Sequence, residues 1–180
     1  MTILEDLTEV LQSLSEQAVE QTADKIDRYP RVFVYGAGRS GLMLAAFAMR
    51  LVQMGKCAYV VGETVTPAIG PGDLLLVASA SGNTHTVCHY AETGKKAGAD
   101  LLVISASEHS VLAGIQKPEL LLDVPDKDGM DRPGRKAYHG QLMGSLFEQS
   151  VLLVCDWMAQ YLAEKHGKQR EMRKLHANLE

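Results

Sequence analysis

Apolar residues recur at helical spacing through the first part of the chain: Ile3, Leu7, Val10, Leu11, Leu14, Ala18 and Val19. That stripe predicts one amphipathic packing helix over 1–28, ended by Tyr29-Pro30. The period then changes. Unbroken apolar runs such as Val32-Phe33-Val34-Tyr35 and Leu74-Leu75-Leu76-Val77-Ala78 read as strands buried on both faces. Five strands are predicted, over 31–35, 57–61, 73–78, 100–105 and 119–124. Helical patterns fill 40–54, 84–97 and 141–165, with a short one at 109–116; the first two stop at Gly55 and Gly98. The stretches 62–72 and 125–140 are rich in glycine and proline and read as loops, and 168–180 as a short helix with a frayed end. Strands alternating with helices over short connections predict an α/β fold. It is a three-layer αβα sandwich with a five-stranded parallel sheet, in one domain spanning 1–180.

Composition narrows the partners. The 180 residues carry a net charge of −4, and the pI is near 5.9, which argues against nucleic acid as the main partner. No apolar run is long enough to span a membrane. The acidic, amphipathic N-terminus lacks the features of a signal peptide. Cys57, Cys88 and Cys155 are odd in number and scattered, as reduced thiols are, which predicts a reducing, cytoplasmic location. The basic stretch 164–174 reads as a solvated helix face balancing the acidic N-terminus.

Two turns carry the chemistry. Gly36-Ala37-Gly38-Arg39-Ser40-Gly41 follows the first strand, and Ser79-Ala80-Ser81-Gly82-Asn83-Thr84 follows the third. A strand, a glycine turn and a helix start together aim free N–H groups and the positive end of a helix dipole at one spot, which suits an anion. In such sheets that spot lies beyond the strand C-terminal ends. The hydroxyls of Ser40, Ser79, Ser81 and Thr84 can donate to a phosphate, and Gly36, Gly38 and Gly82 give backbone access. Arg39 can hold the phosphate or a sugar oxygen.

The first turn also matches G-x-G-x-x-G, with Glu63 following Gly41 by 22 residues, so a dinucleotide site stays open on pattern alone. A second hydroxyl-rich turn, and a chain too short for a separate substrate domain, weigh against it. No lysine follows the glycine of the second turn, which argues against a triphosphate cradle.

The stretches VFVYGAGRSG, AFAMRL, YVVGETVTPAI, GDLLLVASASGNT, QLMGSLFEQ and HANLE together resemble the sugar isomerase (SIS) domain family, and within it the 6-phospho-3-hexuloisomerases. The resemblance implies an SIS-type, flavodoxin-like sandwich. It also implies interconversion of D-arabino-3-hexulose 6-phosphate and fructose 6-phosphate through a cis-enediol, with no redox cofactor and no metal, in a homotetramer. By resemblance Glu148, in MGSLFEQ, is the catalytic glutamate. His176, in the tail 166–180, reaches a neighbouring subunit's site.

The residues point to Glu148 independently. Its helical neighbours Gly144, Val151, Leu152, Cys155 and Ala159 are apolar, whereas Gln149, Asp156 and Gln160 form the solvated side. An acid on an apolar face is either a desolvated base or half of an ion pair, here with Arg39 or Arg50. Glu63 remains a rival base. His85 and His89, four apart beside Glu92 and Lys96, read as a solvated face rather than a metal pair. The alternative function is a non-catalytic module that binds a sugar phosphate and regulates a partner.

Overall fold

The structure is a computed structural model and describes residues 2–124, 141–176 and 178. Two helices lead, α1 (Ile3–Ser13) and α2 (Glu16–Asp27), where the hydrophobic stripe predicted one. The break falls at Leu14, whose backbone is extended. Ser15 then starts α2 by accepting a hydrogen bond from the Ala18 N–H. A serine cap at that point outweighs an apolar period that runs on unbroken.

The sheet is built from β1 (Arg31–Gly36), β2 (Cys57–Val60), β3 (Asp73–Ser79), β4 (Asp100–Ser105) and β5 (Leu120–Leu121), all parallel, in the order β2-β1-β3-β4-β5. The remaining helices are α3 (Arg39–Gln53), α4 (His85–Lys96), α5 (Val111–Ile115) and α6 (Ser145–Lys165), and a 3-10 turn follows at Met172–Leu175. The fifth strand is shorter than its sequence run: only two residues ladder with β4, although Leu122 and Val124 are buried beyond them. The predicted loop 125–140 lies outside the described residues.

The strands sort their side chains by parity. Val32, Val34, Leu74, Leu76, Leu102 and Ile104 face a core shared with α1, α2, α3 and α6, while Phe33, Leu75, Val77, Leu101 and Val103 face α4 and α5. Both faces of the sheet are covered, which gives the three layers. At the N-terminal edge, Arg31 grips Asp73 with two hydrogen bonds of 2.7 and 2.6 Å and so fixes the start of β1 against β3. The chain passes from β1 to β2 on one side and then crosses to β3 on the other side of β1. The sheet therefore has its switch point between β1 and β3, and both glycine turns leave from there.

Candidate active site

At that switch point a cleft opens, lined by Ala37 and Ser40 from the first turn, Ser79, Ser81 and Thr84 from the second, and Phe147 and Glu148 from α6. Three helix N-termini meet there, those of α3, α4 and α6. Each contributes N–H groups without intrahelical partners, and each adds the positive end of its dipole.

The first turn is tight because two glycines touch. A β-carbon on Gly41 would lie 2.3 Å from the Gly36 carbonyl oxygen, and one on Gly36 would lie 2.8 Å from the Gly41 nitrogen. Only hydrogen fits at either place, so β1 passes directly into α3 and brings Ser40, itself buried, to the cleft floor.

In the second turn Ser79 is buried, and its hydroxyl accepts from the Gly82 N–H at 3.2 Å and lies 3.4 Å from Thr84 Oγ1. Ser81 Oγ accepts from the Asn83 N–H at 3.2 Å. Thr84 is the N-cap of α4, but its side chain makes no capping bond and lines the cleft instead. Beneath the turn the Cys88 thiol donates to the Gly82 carbonyl at 3.5 Å. Burial pushes that thiol above its ordinary pKa, so it packs as a neutral donor.

Glu148 sits in the first turn of α6 with 7% of its surface exposed. Its Oε2 accepts a short hydrogen bond from Arg39 Nε, the residue that opens α3. Of the two arginines the sequence left open, Arg39 is therefore the partner; Arg50 turns away to Gln53 and Asp156. The pair is asymmetric: the Arg39 side chain is 59% exposed and that of Glu148 only 9%. The carboxylate is thus held from the solvent side through Oε2, and its other oxygen lies beside Gly144. Gly144 leaves room for it, since a β-carbon there would come within 3.3 Å of Glu148 Oε1.

The other named residues lie apart. Glu63 is exposed past the end of the edge strand β2 and does not line the cleft. The acid that the dinucleotide fingerprint would use for a ribose, Glu63, is thus not at the cleft, and the carboxylate of Glu148 lies at the start of α3 instead. His176 is exposed where the 3-10 turn ends, also outside the cleft of its own chain. Gly38 caps α3, and Gly82 shapes the second turn from behind. His85 and His89 stack their rings 6.5 Å apart on an exposed face of α4. Hydropathy patterns did not single out Phe147 or Gly144 as lining residues, because a lining phenylalanine looks like any core residue in sequence.

Comparisons with known proteins give the family. The family model of the SIS domain matches residues 25–149. The 3-hexulose-6-phosphate isomerase of Mycobacterium gastri is 40% identical, over 98% of this chain and 92% of the relative. That of Bacillus subtilis is 37% identical, over 99% and 95%. A crystal structure of a hypothetical protein from Methanococcus jannaschii, with an inferred molecular function of 3-hexulose-6-phosphate isomerase, superposes with a TM-score of 0.80 at 26% identity, covering 99% of this chain and 97% of that one. A strand-turn-helix pair at the switch point, a buried glutamate facing it and likeness over nearly the whole length place the chain in the SIS domain family, with the 3-hexulose-6-phosphate isomerases.

Proposed function

We propose that this chain, a sugar-phosphate isomerase by family, interconverts D-arabino-3-hexulose 6-phosphate and fructose 6-phosphate through a cis-enediol, with Glu148 as the proton shuttle. The observation that carries this reading is the buried Glu148 carboxylate in the same cleft as Ser40, Ser79, Ser81 and Thr84.

The phosphate dianion docks at the starts of α3 and α4. It takes N–H groups freed by Gly36, Gly38 and Gly82, and the hydroxyls of Ser40, Ser79, Ser81 and Thr84. The open sugar then extends toward α6. Glu148 removes the proton from C2 of the 3-hexulose, and the C2–H electrons form the C2–C3 double bond as the C3 carbonyl oxygen takes up the negative charge of an enediolate. The O2 hydroxyl proton passes to O3 as the C2 carbonyl forms, and Glu148, its proton exchanged with solvent meanwhile, protonates C3. One carboxylate on one face of the ligand performs both carbon transfers.

Arg39 holds that carboxylate in place, and its guanidinium adds positive charge beside the developing enediolate. His176 of the partner subunit assists the hydroxyl transfer. The chain acts as a homotetramer in the cytoplasm, on a small-molecule sugar phosphate, without metal, redox cofactor, nucleic acid or membrane. The test is a coupled assay. Hexulose-6-phosphate synthase, ribulose 5-phosphate and formaldehyde supply the 3-hexulose, and fructose 6-phosphate accumulates only when this protein is added. A substrate that raises the melting temperature without turning over would favour the regulatory module instead.

A further inference from the structure

The second turn is gripped from behind. Ser105, the last residue of β4, is 1% exposed and pairs across the sheet with Ser79. Its hydroxyl donates to the Ser79 carbonyl at 2.8 Å and accepts from the Ser107 N–H at 3.2 Å. Farther along, the short helix α5 spends its leading N–H groups on the turn and on its own cap. The Val111 N–H donates to Asn83 Oδ1 at 3.0 Å, the Leu112 N–H to the Gly82 carbonyl at 2.9 Å, and the Ala113 N–H to Ser110 Oγ at 3.2 Å. Gly82 has a φ of +63°, and a β-carbon there would fall 2.2 Å from Ser110 Oγ. Ser110 therefore fills the space where a side chain on the turn would go.

These bonds leave α5 no leading N–H for a ligand of its own. They fix the turn's backbone before any ligand arrives. A serine- and glycine-rich turn without such support would lose conformational freedom on binding, and that loss would weaken affinity. Resting on the assignment of Ser79–Thr84 as the phosphate turn, we infer that Ser105 and α5 are positioning elements for substrate binding: they hold the turn in its receiving shape without touching the substrate. Support of this kind acts equally on the bound substrate and on the transition state, so its loss raises KM and leaves kcat in place.

Two variants each remove part of this support. Val111→Pro deletes the N–H that Asn83 accepts. Val111 is 57% exposed and opens α5, and Ser110 before it is extended (φ −145°, ψ 168°), so proline fits there. Ser105→Ala deletes the bonds to Ser79 and Ser107. Val111→Ala keeps the N–H and serves as control, and Ser81→Ala tests the turn directly. Each is assayed with fructose 6-phosphate for kcat and KM, with inorganic phosphate as a competitive inhibitor, and for Tm.

Val111→Pro and Ser105→Ala are expected to raise KM and the phosphate inhibition constant together by about 5-fold, the scale of one net hydrogen bond. Their kcat stays near wild type, and Val111→Ala matches wild type throughout. If both variants lower Tm but leave KM and the inhibition constant unchanged while Ser81→Ala raises them, the inference is wrong and the phosphate turn stands. If Ser81→Ala also changes neither, the turn is not the phosphate site and both readings fall.

Discussion

Glu148 and Arg39 meet across two helix starts, and the account turns on how that pair is used. A buried carboxylate needs a partner, and Arg39 supplies it from the solvent side. Arg39→Met should leave Glu148 in place but uncompensated and poorly aimed, and kcat should fall about 100-fold, as for loss of one stabilising group beside a developing charge. Arg39→Lys recovers only part of that loss, since an ammonium on a flexible stem cannot reproduce the fixed guanidinium. Initial-rate assays of both variants measure it. At the first turn, Gly41→Ala drives a methyl into the Gly36 carbonyl at 2.3 Å; overpacking of this kind costs about 1–3 kcal/mol, read as a lower urea midpoint.

At the scale of elements, α2 and α6 are clasped by charge. Lys165 donates to Asp24 at 2.7 Å, His166 lies 2.7 Å from Asp27, and Lys56 reaches the same Asp27 at 3.2 Å. Part of the basic stretch after residue 164 is thus committed to α2 rather than simply solvated. Burial alone would raise the Asp27 carboxyl, but the hydrogen bonds from His166 and Lys56 outweigh it and hold it below its ordinary value. The hydrogen bond from Lys165 does the same for Asp24. A carboxyl depressed in the folded state adds stability above its unfolded pKa of about 3.9 and loses it as pH falls through the folded value. Urea stability should therefore decline as pH drops below about 4, and Asp27→Asn should flatten that decline.

Much of this architecture was legible in sequence because double-sided burial makes β1, β3 and β4 unbroken apolar runs, and because Gly55 and Gly98 close two helices. The break at Leu14 was hidden by an apolar period that continues through it. The buttress made by Ser105, Ser110 and α5 was hidden because hydroxyls after a strand carry no period. The two turns stood out as glycine- and hydroxyl-rich helix starts and Glu148 as an acid out of place, and the fold brings all three to one cleft. Only the fold could tell Arg39 from Arg50, since both stand on α3 and their directions depend on how α3 meets α6.

For the molecule as a whole, surface and thiols give two further checks. Leu42, Met49 and Val52 stand exposed along α3, an apolar face that suits the proposed assembly of copies. Light scattering should report a mass of about four chains, and Met49→Asp should lower it. Cys57 is exposed, whereas Cys88 and Cys155 are buried. Burial pushes the Cys155 thiol far above the range in which it ionises. Titration of the native protein with a thiol reagent should find Cys57 fast and the other two protected until urea unfolds the chain.

The decisive measurement is solvent deuterium incorporation during isomerisation, followed by NMR on wild type and Glu148→Gln. Wild type should place deuterium on the carbon skeleton of fructose 6-phosphate. The variant should lose both that exchange and turnover, by about 10²- to 10⁴-fold as for removal of a general base, while binding the phosphate ester nearly as tightly as before. Near-normal exchange in Glu148→Gln would contradict the account, because the proton would then be moving through another group.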